Sequence, residues 1–391
     1  MEGEIPSPTS DPLRVLVLCE GDAETLRSWS GTSKSVVDHL RKAGHEVRTG
    51  DVELYGLPRV LGIAASWSPS RFRWWVRYRL SRLPFELRSR RARRHIDRYR
   101  GEVDLILQFG ATFEPRGHGL LPYALYCDGN ARLAERGETG GLAEVSVLTE
   151  RELREVVDRE SRVYEGASKV FTFSGPLTES FIEDFGLPSD RVRTVHAGPN
   201  IDPAAVPPPL PSSSTAPPTV LFVGRKFDRK GGDLLLSAFE KVRAEFPDAT
   251  LKVVGPEIPS ESPAGVQFLG FLRKDVPEEE SRLCQAYSEA DVFCLPTRFE
   301  PFGVVFLEAM LHGLPCIGPN AWAVPEMIID GETGFLVEPE NIDDIANAIQ
   351  TCFRARDRAR AMGMAGRKRA IEYFLWDKVV GRIVDGLHEI S

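Results

Sequence analysis

The chain has 391 residues and a formal net charge of −8; it is too long for one ordinary core and fits two domains of roughly 150–200 residues each. The acidic balance argues against a protein that binds nucleic acid over its whole surface. No uninterrupted apolar run approaches the ~18 residues of a membrane span, and the start, MEGEIPSPTSDP, lacks the positive charge and apolar stretch of a signal peptide.

Residues 1–12 therefore read as a disordered leader. From there, short apolar runs alternate with longer amphipathic stretches. The first half offers RVLVLCE (14–20), HEVRTGDV (45–52), DLILQFG (104–110), YALYCD (123–128), KVFTFS (169–174) and VRTVHAG (192–198). The second offers TVLFVG (219–224), ATLKVVG (249–255), VQFLGF (266–271), DVFCLP (291–296), PCIGP (315–319) and GFLVEP (334–339). Runs of this length, mostly ending in Gly, Pro or an acid, read as buried parallel strands. Helical spacing lies between them, as in Val36, Val37 and Leu40 or Leu234, Leu235, Ala238 and Val242. Strands alternating with helices, twice over, predict an α/β chain of two Rossmann-like doubly wound domains facing across a cleft.

The expected domains span residues 13–198 and 219–372. Residues 199–218, PNIDPAAVPPPLPSSSTAPP, hold too much Pro and Ser for a helix or central strand and read as the connection. Residues 373–391 carry Val380, Ile383, Val384 and Leu387 at helical spacing and should form a helix packing back on the N-terminal domain. Six cysteines are scattered without a C-x-x-C pair; buried reduced thiols in a reducing cytoplasm are expected.

Two stretches carry chemistry. In VLFVGRKFDRKGGDLLLSAF a strand ends at Gly224, and Arg225, Lys226, Arg229 and Lys230 precede Gly231-Gly232, where a helix begins. Glycines at a helix N-terminus admit an anion to backbone N–H groups, and Arg and Lys suit a diphosphate; a solvated basic turn is the plainer alternative. In CLPTRFEPFGVVFLEAMLHGLPCIGP, Glu300 follows a buried strand and Glu308 lies on a helix apolar on nearly every face. A buried carboxylate needs a partner, either a structural one such as a core Arg or ligand hydroxyls such as those of a ribose. With Glu308 about 7.5 Å along the helix, the two carboxylates could address different parts of one elongated ligand.

These residues resemble family 4 of the retaining glycosyltransferases, which have the GT-B fold. The resemblance rests on the E-x7-E pair Glu300 and Glu308 within EPFGVVFLEAM…GLPCIG, on VGR…KGGD upstream and on PEMIIDGETGFLVEP downstream. It covers residues 219–340 most strongly and the N-terminal half in outline. It implies that Arg225 and Lys230 hold the diphosphate of a nucleotide-sugar donor and that Glu308 binds its ribose. Glu300 would contact the transferred sugar, with Phe302, Gly303 and Val304 lending backbone amides. The donor is then a co-substrate, with no further cofactor and no metal; the chain carries no Asp-x-Asp and no His/Cys cluster at ligand spacing. The acceptor would be a saccharide, a lipid-linked saccharide or a small molecule.

There are departures from the family pattern. Where relatives carry a histidine after an N-domain strand, this chain reads YALYCDGN, leaving Cys127 or Asp128 near that place; Asp128 is the candidate catalytic contact, or else an ordinary turn-forming Asp. Ala321-Trp322-Ala323 replaces a Gly-Gly pair. The N-terminal loop SWSGTSK holds only Gly31 as a phosphate-loop glycine.

Residues 71–100 contain twelve arginines against Glu86 and Asp97, interleaved with Phe72, Trp74, Trp75, Tyr78 and Phe85. The stretch reads either as a solvated helix pair whose arginines meet the chain's acids, or as an interfacial segment on anionic lipid; nucleic acid fits the overall charge less well. The second reading would place the protein at the inner face of the membrane. A dehydrogenase is disfavoured because no G-x-G-x-x-G follows any predicted strand. A GT-B nucleotide-sugar epimerase and a catalytically silent nucleotide-sugar-binding protein are the remaining alternatives.

Overall fold

The computed structural model describes residues 11–115, 121–137, 144–206 and 217–391. Nearly all of the expected leader, and positions 207–216 of the expected connection, lie outside the described residues. The chain divides into two units, Met1–His196 with Trp376–Ser391, and Ala197–Leu375.

The first unit is built on six parallel strands: β1 (Arg14–Cys19), β2 (Glu46–Asp51), β3 (Leu105–Phe109), β4 (Tyr123–Cys127), β5 (Lys169–Thr172) and β6 (Val192–Thr194). Their order is β2-β1-β3-β4-β5-β6. β3, β4 and β5 are buried along their whole length, as continuous apolar runs in a sheet covered on both faces should be. The C-terminal helix, Trp376–His388, belongs to this unit. It buries Val379, Val380, Ile383 and Leu387, and its Arg382 donates to the Val195 carbonyl at 2.8 Å.

The second unit carries β7 (Thr219–Val223), β8 (Thr250–Val254), β9 (Val266–Gly270), β10 (Val292–Cys294), β11 (Cys316–Pro319) and β12 (Gly334–Val337). Their order is β12-β11-β10-β7-β8-β9, parallel throughout. Counted within the unit this is the 3-2-1-4-5-6 order of the dinucleotide-binding fold, whereas the first unit has the flavodoxin-like 2-1-3-4-5 order with a sixth strand added. All twelve strands expected from the sequence are present, and both units are Rossmann-like.

Strand order locates the ligand positions. In an open parallel sheet the crevice opens beyond the carboxyl ends of the strands where the winding reverses. In the second unit that point lies between β7 and β10, which are paired. In the first it lies between β1 and β3.

The arginine-rich stretch forms two helices, Arg71–Leu80 and Arg82–Arg98, broken at Ser81. Several of its arginines hold the fold together. Arg73 and Arg77 both reach Glu152 at 2.9 Å, Arg91 donates to the Asp51 carbonyl, and Arg88 is fully buried, 3.5 Å from Glu20. Five of the six cysteines are buried free thiols and Cys284 is half-buried; burial pushes the Cys19 and Cys352 thiols up to about 12.

Candidate functional site

The loops after β7 and β10 meet at the reversal point of the second sheet. After β7 the chain folds into a tight turn, with Lys230 N–H donating to the Lys226 carbonyl and Gly231 N–H to the Asp228 carbonyl. Gly231 has φ 71° and starts the helix Gly232–Glu245. A Cβ at Gly231 would lie 1.9 Å from the Pro296 carbonyl oxygen, so only glycine lets the two loops close on each other. Further ties follow: Thr297 Oγ1 donates to the Arg229 carbonyl at 3.2 Å, and Arg229 donates to the Phe299 carbonyl at 3.1 Å.

This seam brings Lys230 onto the carboxylate of Glu300 as an ion pair. Both are nearly buried, and burial lowers the Lys230 pKa while the Glu300 charge works in the opposite direction. Gly303, at φ 102°, caps the helix Val304–Leu311; a Cβ there would stand 3.0 Å from Glu300 Cγ and 2.9 Å from Phe306. Phe302 is buried and Val304 half-buried. Two helix N-termini thus begin at left-handed glycines beside one buried cation–carboxylate pair, with the positive ends of their dipoles there. Such an arrangement favours an anion beside a polar, charge-bearing group.

Glu308 is 1 % exposed and pairs with Lys274, from the loop after β9. Tyr287 OH donates to Glu308 Oε2 at 3.3 Å. The Tyr287 ring stacks on His312 at 4.7 Å, and His312 is held by a 2.9 Å bond between its Nδ1 and the Glu308 carbonyl. The partner that a buried carboxylate demands is therefore a lysine, not a core arginine. Arg225 is exposed, with its guanidinium over the Phe271 ring at 5.1 Å.

Lys274, Tyr287 and Arg298 were not singled out by sequence reasoning. Arg298 braces the β7 and β10 loops through a bidentate pair with Asp233, at 2.7 Å twice. Trp322, at φ 58°, donates from its indole to the Arg298 carbonyl at 2.9 Å and packs edge-on against Phe299. The departure from Gly-Gly noted in the sequence is thus a wall of the same loop. Lys274 had one legible signal, a cation in the loop after a strand; nothing in the sequence joined it to Glu308, 34 residues away.

In the first unit, Gly31 has φ 93° and precedes the helix Thr32–Lys42. Trp29 (φ 49°) and Ser30 (φ 55°) share its left-handed conformation. Trp29 packs edge-on against Phe109 at the end of β3. Asp128 is exposed just beyond β4, whereas Cys127 is buried with its thiol pKa raised by that burial. Of the two, only Asp128 reaches solvent. Among the described residues no three His, Cys, Asp or Glu side chains gather as metal ligands.

Two parallel-sheet units of this kind define the GT-B class of fold. The chain superposes on sucrose-phosphate synthase from Thermosynechococcus elongatus with a TM-score of 0.69 at 21% identity, covering 97% of this chain and 100% of the other. Residues 217–355, which hold the β7–β10 seam, match the family Glycosyl transferases group 1. Among curated relatives, the chain is 33% identical over 172 residues to a GDP-mannose-dependent alpha-(1-6)-phosphatidylinositol monomannoside mannosyltransferase of Mycolicibacterium smegmatis (41% of this chain, 44% of the relative). It is 30% identical over 261 residues to an alpha-maltose-1-phosphate synthase of the same organism (59% of this chain, 66% of the relative). The chain spans about half the length of the first of these.

Proposed function

We propose that the protein is a retaining glycosyltransferase of family 4 that moves a sugar from a nucleoside-diphosphate donor to a saccharide, lipid-linked or small-molecule acceptor without a metal ion. The observation that carries this reading is the Lys230–Glu300 pair, buried between two glycine-started helix N-termini at the reversal point of a Rossmann sheet. Breaking an anomeric C–O bond builds negative charge on the leaving diphosphate and positive charge on the sugar. Lys230 and the two helix N-termini are arranged for the first, Glu300 for the second. Arg225 is exposed and able to swing onto the diphosphate. Glu308, on the helix behind Gly303, would take the ribose hydroxyls in exchange for part of its contact with Lys274.

Retention follows in this scheme from attack on the face the diphosphate leaves, with a departing phosphate oxygen accepting the acceptor's proton. Asp128 is assigned to the sugar or the acceptor, and the Gly31 turn to the donor. Names of the relatives support a nucleotide-sugar donor: the first uses GDP-mannose.

The test is binding first and turnover second. UDP, GDP and ADP are titrated against the protein by calorimetry, and then the matching sugar nucleotides are assayed for transfer and hydrolysis. One diphosphate should bind, its affinity should fall in Glu308→Ala, and Lys230→Ala should lower turnover by about 10²-fold or more. Binding of none of the three would reject the reading; conversion of the donor sugar to its epimer without acceptor would replace transferase by epimerase.

A further inference from the structure

An ordinary surface helix turns its large apolar side chains inward and its polar ones outward. The helix Gly56–Ala65 instead turns its large apolar side chains outward. Its packed side is Gly62, which lies so close to Tyr78 and Pro84 that a Cβ would stand 3.1 Å and 3.4 Å from them. Leu57, Val60, Leu61 and Ala64, at i, i+3, i+4 and i+7, form an exposed stripe, with Leu57 69% and Val60 60% accessible. The connector that follows exposes Trp67 at 60% and is tethered, since Arg77 donates to the Trp67 carbonyl at 2.8 Å. On the helix Arg71–Leu80, Phe72 and Trp75 stack at 6.3 Å on the exposed face, and Arg79 lies over Trp75 at 5.0 Å.

Scattered exposed apolar residues need no explanation, but contiguous ones do. Of the fourteen exposed large apolar side chains among the described residues, eight fall within residues 55–83. Exposed Arg59, Arg71 and Arg82 stand in the same stretch. An aliphatic stripe with tryptophans and a cationic flank is the composition of a surface that lies in the headgroup–acyl boundary of an anionic bilayer. A nucleic acid would engage the arginines and leave the Leu–Val stripe in water. No helix among the described residues is long and apolar enough to cross a membrane, so the contact would be with the surface.

We propose that the helix pair Gly56–Ala65 and Arg71–Leu80 is a docking surface for anionic lipid, centred on Leu57, Val60, Leu61 and Trp67. This shifts the weight of the arginine-rich stretch from the arginines of the helix Arg82–Arg98 to the apolar helix before it. The surface is independent of the donor site and stands or falls separately from it.

The experiment is co-sedimentation of the full chain with vesicles of phosphatidylcholine alone and of phosphatidylcholine with phosphatidylglycerol. The mixed vesicles should bind the protein and the neutral ones much less. Replacing Leu57, Val60 and Leu61 together by Ser should lower partitioning at least tenfold. Arg59→Gln with Arg71→Gln should lower it about fivefold for each arginine. Ile258→Ser, which removes an exposed apolar side chain in the other unit, should leave it unchanged. All substituted positions are exposed, and an unaltered melting temperature checks that each variant is folded. Absence of binding to mixed vesicles overturns the proposal, as does undiminished binding by the Leu57/Val60/Leu61 variant. A wild-type dimer that this variant dissolves, without vesicle binding, would assign the surface to a second copy instead.

Discussion

Lys274, in the loop after β9, neutralises Glu308, whose carboxylate sits almost wholly buried on the helix Val304–Leu311. Removing one partner of such a pair strands the other in the interior. Lys274→Met should therefore destabilise the fold by about 3 kcal/mol. Adding Glu308→Gln should restore part of that loss, because the stranded charge is gone. Urea denaturation of the two single variants and the double measures this coupling directly. Equal stability of wild type and Lys274→Met would show that Tyr287 and solvent suffice for Glu308.

Gly231 offers a sharper geometric test. Alanine there meets both a left-handed backbone and the Pro296 carbonyl. Strain of about 1–3 kcal/mol is expected from the backbone alone, and the clash should part the β7 and β10 loops. Gly231→Ala should lose both stability and nucleoside-diphosphate affinity. By contrast Gly186→Ala, also at positive φ but with nothing within reach of its Cβ, should lose only stability.

The buried Lys230 predicts a pH dependence. Its native pKa is lowered by burial, so between the native and unfolded values the unfolded chain binds more protons. This group therefore makes stability rise with pH across that window. For activity the sign is opposite, because the cation is the useful form. The alkaline limb of kcat/KM, which reports the free enzyme, should fall below the ordinary lysine range. The limb of kcat should lie higher, since a bound diphosphate favours the ammonium. Coincident limbs, or limbs unchanged in Lys230→Arg, would remove Lys230 from this role.

In the first unit, burial pushes the Glu160 carboxyl up to about 7 from an ordinary value of 4.5, even though it accepts the Ala131 N–H at 3.0 Å. The native state then binds more protons than the unfolded chain between those values, so this group's contribution to stability falls as pH rises through them. Melting temperatures from about pH 5 to pH 8 should show this decline in the wild type and a weaker one in Glu160→Gln. Parallel profiles would mean that Glu160 is ionised throughout.

The sequence by itself determined the strands, the division in two and the residue types of the donor loops. These are local matters: an apolar run such as VLVLC wants two covered faces, and glycine before a helix marks a left-handed start. It also marked Glu308 as a carboxylate in need of a partner. Tertiary structure alone decided which partner, because Lys274 lies 34 residues away and only the β7–β8–β9 order brings its loop to that helix. The same holds for Gly231 against Pro296 and for Arg298 against Asp233. In the arginine-rich stretch, composition showed charge and aromatics but not their direction. Packing sent Arg88 inward and left Leu57, Val60 and Leu61 outside, because the residue that fits against Tyr78 and Pro84 is the one with no side chain, Gly62.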